Sequence, residues 1–133
     1  MTEVTARIFE VRYTLSMNTQ SAIRIIQWSA RIVAIAFIIF ISMFALDVFG
    51  QKDWLLALLI HLVPSYILVF LTVVAWKNDL LGGVLFIIGG IIFIGISRFE
   101  GYVIYIPAIV LGVLFLLAGW LKRMDEQRRK AAS

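Results

Sequence analysis

No cysteine occurs in the chain. Disulfides, thiolate metal sites and cysteine-based redox or nucleophilic chemistry are therefore excluded. There is one histidine, and there are two prolines, in 133 residues. A lone imidazole has no second ligand nearby in sequence, so no metal site and no cofactor is expected from the chain by itself. Charged residues make up only 15% of the chain, and no carboxylate falls deep inside an apolar run. A proton-coupled exporter built on a membrane-embedded glutamate thus has no candidate residue here, and no hydrolase motif is present. A nucleic-acid interface has no support either, because the basic C-terminal run follows directly on an apolar stretch.

The chain is instead dominated by apolar residues. They make up 62% of it, and the mean hydropathy is +1.01, against about 45–50% apolar for an ordinary soluble domain. One core in a chain this short cannot hide so much apolar surface from water. The expected surroundings are a lipid bilayer. The clearest span is Trp54–Trp76, 23 residues without Asp, Glu, Lys or Arg. Three further spans are read at about 25–49, 80–97 and 102–121. In the first, the charge-free run Ile32–Leu46 has 15 residues. It covers only ~22 Å at ~1.5 Å per residue, short of the ~30 Å hydrocarbon core. Its flanks must complete the crossing, with Arg31 reaching back to the headgroups.

Short polar turns separate these runs at Gly50–Asp53, Lys77–Asp79 and Arg98–Gly101. The expected fold is all-α, an up-down-up-down transmembrane four-helix bundle over residues 23–121. Residues 1–22 read as a polar segment with a frayed or weakly amphipathic character, and Ser16, Asn18, Thr19 and Ser21 offer N-caps for the first span. Residues 122–133 read as a basic tail. Arg7, Arg12, Arg24, Arg31, Lys77, Lys122, Arg123, Arg128, Arg129 and Lys130 fall on one side, and only Lys52 and Arg98 on the other. This excess of cations puts both termini in the cytoplasm and the chain in the cell membrane as a multi-pass protein. Trp28, Trp76 and Trp120 mark the inner boundary, and Trp54, Tyr102 and Tyr105 the outer one.

The one constellation with chemical potential surrounds His61. At 100° per residue, Trp54, His61, Ser65 and Thr72 lie within about 40° of one another, so the polar side chains form a stripe. Lipid offers such groups no hydrogen bond, so the stripe is expected to face the bundle. Pro64 and Pro107 cannot donate to the carbonyls of Ile60 and Val103, and helix kinks are expected at both. Two bends at one depth would open a small outward-facing cavity beside His61, with Ser42, Asp47, Tyr105 and Arg98 at or above its level. The competing reading of His61 is a plain interhelical hydrogen bond, and that of Asp47 is a pair with Arg98 or Lys52.

Glycines organise the packing. Gly82-Gly83 and Gly89-Gly90 repeat at seven residues in the third span. Gly112 and Gly119 share a face of the fourth with Gly101, Tyr105, Ala108 and Phe115. Small residues admit close backbones and rings, so these two faces are expected to meet. Contact with a second copy or within a larger membrane complex is the competing use.

Several segments together carry a resemblance. They are Ala30-Arg31-Ile32-Val33, Phe44 to Phe49, His61-Leu62-Val63-Pro64-Ser65, Ala75-Trp76-Lys77, Leu81 to Phe86, and Pro107 with Leu111 to Phe115. Over about residues 22–121 the chain resembles an uncharacterised family of small prokaryotic four-span membrane proteins, a domain of unknown function. The set Asp47, His61-x-x-Pro64 and Trp76…Gly82-Gly83 is its most specific part. The resemblance implies an architecture and no activity. The functional expectation is a non-enzymatic structural or accessory membrane subunit. The alternatives are a small oligomeric transporter or channel using the His61 cavity, and a haem- or quinone-linked protein.

Overall fold

The computed structural model describes residues 2–50 and 52–132, apart from the side chains at 15–17 and 48. These residues form α1 (Thr2–Phe44), a 3-10 turn (Ala45–Val48), α2 (Trp54–Lys77), α3 (Asp79–Ser97) and α4 (Tyr102–Ala132). No strand occurs among them. All four helices are long and apolar enough to cross a membrane.

Two boundaries differ from those expected. Residues 2–22 are not a separate segment, because α1 runs unbroken through them for 43 residues, ~65 Å at ~1.5 Å per residue. The Ser/Asn/Thr cluster at 16–21 does not start a new helix. Each such residue costs only about 0.5 kcal/mol inside a helix, and no glycine or proline is present to stop it. The basic tail is likewise the end of α4, which continues to Ala132. Its residues are good helix formers. Asp125 and Arg129 pair at 3.0 Å one turn apart, and Arg129 and Lys130 sit in the last turn, where cations suit the helix dipole.

The connections are short and locally determined. Asn78 alone joins α2 to α3. Its backbone is extended, and its side-chain oxygen accepts from the Leu81 amide at 3.2 Å. One residue therefore ends one helix and caps the next. Between α3 and α4, Arg98 and Phe99 both adopt positive φ, 48° and 70°, and the Glu100 amide donates to the Ser97 carbonyl at 3.0 Å.

The helices pack as antiparallel neighbours in a ring, α1 on α2, α2 on α3, α3 on α4 and α4 on α1. The α3–α4 seam is the most extensive, although Gly82 of α3 presses still more tightly on Ala75 of α2. A Cβ on Gly83 would lie 2.7 Å from the Leu116 backbone nitrogen and 2.8 Å from the Gly112 carbonyl oxygen, and one on Gly112 would lie 2.9 Å from the Gly83 carbonyl oxygen. The Phe86 and Phe115 rings stack at 5.8 Å between the two helices. The expected meeting of the two glycine faces is thus present, with one addition. The first glycine of each doublet serves α2: Gly82 abuts Ala75 and Gly89 faces Leu71, whereas Gly83 and Gly90 face α4. The doublet lets α3 approach two helices at once. Around this seam Ala30, Ala34, Phe37, Ile41, Leu68, Leu71, Leu111 and Phe115 fill the middle of the molecule.

Candidate functional site

Two polar places lie at opposite ends of the helices. The first lies beside His61 and holds only part of the expected constellation. A crevice of about 340 Å³ is lined by Ile41, Phe44, Ile60, His61, Pro64, Val103 and Ile104. Its lining comes from α1, α2 and α4. Ser42 and Ser65 meet just beside it, hydroxyl to hydroxyl at 3.2 Å, with the Ser42 hydroxyl also on the Ile38 carbonyl at 2.8 Å. Ser65 and Thr72 are buried, as the stripe requires.

His61 departs from the expectation. Its ring is exposed, and Nδ1 lies 2.8 Å from the carbonyl of Ala57, one turn back in its own helix. The partner is neither a second helix nor a freed carbonyl. His61 lies one turn before Ser65, in the N-terminal part of α2, where the helix is largely exposed. The stripe is therefore covered at Ser65 and Thr72 and uncovered at His61 and Trp54. The remaining predicted residues do not join it. Asp47 is exposed in the 3-10 turn, Arg98 is exposed at the α3 C-terminus, and Tyr105 lies outside the crevice lining. Both prolines lie inside helices, and Pro64 alone lines the crevice.

The second place was not singled out from the sequence, yet it holds the more unusual chemistry. Asp79, read as part of a wet turn, is the first residue of α3 and is only 8% exposed. Its Oδ2 accepts from the Gln27 side-chain amide of α1 at 2.6 Å. Its Oδ1 is buried without a partner, and so is the Nε of Arg31. Gln27 and Arg31 are one turn apart on α1, so both reach the same spot. The Arg31 guanidinium carbon lies 5.7 Å from the Trp28 ring centre and 5.9 Å from that of Trp76, a cation–π clamp from two helices. These groups border a cavity of about 300 Å³, also lined by Lys77, Asn78, Lys122, Arg123 and Glu126. Four cations (Arg31, Lys77, Lys122, Arg123) and two carboxylates (Asp79, Glu126) give the lining a formal net charge of +2. Beside it, Asp125, Glu126 and Arg129 of α4 face Gln20, Arg24 and Gln27 of α1 around a second cleft. The sequence signal for this site is a carboxylate two residues after a lysine at a chain reversal, directly after an asparagine able to cap the next helix.

A protein-family model matches residues 17–131. The chain belongs to that family, described as Domain of unknown function (DUF7670). The DUF7670 match takes in both polar places and all four helices, and reaches beyond the 22–121 region of the resemblance at each end. The family description carries no activity, no source and no statement about membranes. No curated protein and no solved structure matches the chain.

Proposed function

We propose that this DUF7670 protein is a non-enzymatic integral membrane protein, an accessory or structural subunit of the cell membrane with four spans and both termini in the cytoplasm. The observation that carries the reading is the division between its covered and bare surfaces. Only 22–33% of the residues in the four apolar windows are buried within the chain. Phe70, Ile91, Ile96 and Val110 project outward from three different helices. Hydrocarbon is the solvent that tolerates this surface. The charged groups, by contrast, lie outside the apolar runs.

The packed middle favours an accessory role over conduction. Phe37, Leu68, Phe86, Leu111 and Phe115 lie buried between the His61 crevice and the Asp79 cavity. Thr72, the buried hydroxyl between the two ends, is turned onto its own helix at the Leu68 carbonyl, 2.7 Å away. An ion crossing between the two ends would have to displace that core. The haem- or quinone-linked reading keeps only His61 as a nitrogen ligand.

The test is twofold. Affinity capture of the full chain from its native membranes should recover a membrane partner in fixed stoichiometry. Purified protein in liposomes should give no pH-driven flux. A flux abolished by His61→Ala would replace the accessory reading with a transport one. A Soret band on purification would replace it with a haem-linked one.

A further inference from the structure

Of the three buried side-chain polar atoms without partners among the described residues, two, one acceptor and one donor, belong to residues that line a single cavity, and the third, Ser97 Oγ, lies elsewhere. Asp79 Oδ1 has no hydrogen-bond donor and Arg31 Nε has no acceptor. Leaving either group so is costly in a buried setting. Asp79 is more than nine-tenths buried, so this acceptor is not a surface group served by bulk water. The cavity has a net positive lining, with Lys122 and Arg123 at its rim. Trp76 also lines it, and Trp28 and Trp76 hold the Arg31 guanidinium. Trp76 stands one residue from the end of α2, and tryptophans at the boundary of an apolar span prefer the level of the lipid headgroups. A ligand that completes this site needs an anionic group for the cations and a hydrogen-bond donor, a few bonds away, for Asp79.

We propose that this cavity is a binding site for the headgroup of an anionic glycerophospholipid whose phosphodiester carries a hydroxyl-bearing alcohol, as in phosphatidylglycerol. The phosphodiester oxygens pair with Arg31, Lys122 and Arg123, and a headgroup hydroxyl donates to Asp79 Oδ1. Gln27 holds the carboxylate in place through its 2.6 Å bond to Oδ2. Arginine suits the phosphodiester because its planar fork donates to two oxygens at once. A carboxylate inside a cationic pocket has no use in plain charge attraction and would weaken it. Its presence therefore selects for a donor on the ligand. The inference rests on the membrane reading, which sets the cavity at headgroup depth.

The experiment titrates the delipidated full-length protein with four probes, with bound molecules read by native mass spectrometry. These are dioleoyl-phosphatidylglycerol, dioleoyl-phosphatidylmethanol (the same charge and chains, no hydroxyl), dioleoyl-phosphatidylcholine and soluble glycerophosphoglycerol. Phosphatidylglycerol should bind roughly tenfold tighter than phosphatidylmethanol, the size expected when a buried acceptor is left unmet. Asp79→Asn should bring those two within about twofold, while Lys122→Gln with Arg123→Gln weakens both alike. The wild-type comparison stands even where a variant fails to fold. Equal binding of phosphatidylglycerol and phosphatidylmethanol overturns the proposal. So does binding of the soluble headgroup as tight as that of the lipid, which would make the ligand a free phosphodiester. Carbonate extraction of membranes separates the two levels. A chain released by carbonate fails the membrane reading itself, whereas one that stays inserted without lipid preference fails only the headgroup site.

Discussion

At the scale of single residues, the glycine contact between α3 and α4 makes a matched pair of substitutions decisive. A methyl group on Gly112 would lie 2.6 Å from Ile87 Cγ1, 2.9 Å from the Gly83 carbonyl oxygen and 3.0 Å from the Ile87 backbone nitrogen, whereas one on Gly95 would meet nothing within 4 Å. In hydrocarbon no water is released when two helices meet, so their association rests on van der Waals contact and is lost when the backbones separate. Gly112→Ala should therefore destabilise the bundle by about 1–3 kcal/mol, the usual cost of overpacking. Gly95→Ala should be neutral or stabilising by up to ~1 kcal/mol through helix propensity alone. Unfolding in mild detergent, followed by circular dichroism, separates the two. Equal effects would mean that the α3–α4 seam is not where the stability lies. The sevenfold spacing of the doublets made this seam legible in the sequence. Their service of two neighbours was not, because a helical wheel shows that Gly82 and Gly83 are 100° apart but not which helix lies in each direction. Asp79 was less legible still. A charge in a three-residue turn reads as wet, and only the arrival of Gln27 from a helix 52 residues earlier dries it.

Among the helices, α1 is unusual for the contrast between its halves. Ala30, Ala34, Phe37 and Ile41 recur on one face and are buried against the other helices, whereas Val4, Ile8, Phe9, Val11 and Tyr13 are all exposed. The N-terminal half was read as a segment of its own because its composition changes near residue 22. Backbone continuity follows a different rule: a helix, once formed, propagates until something stops it, and nothing between Asn18 and Arg24 does so. Continuity does not make the two halves equally stable, because a helix in a protein draws most of its stability from a packed apolar face, and the apolar side chains of the N-terminal half are exposed. In hydrogen exchange of the reconstituted protein, amides of residues 3–14 should exchange orders of magnitude faster than those of 30–44. Equal protection of both halves would show that a partner or a second copy covers the N-terminal half.

For the molecule as a whole, the proposed orientation turns on where the cations and the buried polar cluster lie. The N-terminus, Asn78 and the C-terminal end of α4 lie at one end of the bundle, together with ten of the twelve Lys and Arg residues. Gln27 and Arg31, midway along α1, meet Asp79 at the start of α3 there too. The opposite end holds Lys52 and Arg98, and its crevice is apolar except for His61. Translocating the cation-rich end would carry Arg24, Arg31 and Lys77 across the membrane on short connections, which is where the positive-inside bias acts most strongly. A phosphatase fused after Ser133 should therefore be inactive, while a fluorescent protein fused there should glow. The same phosphatase inserted at Lys52 should be active. A bundle inserted the other way round would reverse all three readouts. It would also move the Asp79 cavity to the outer leaflet, so the reporter result decides from which leaflet a bound headgroup would come.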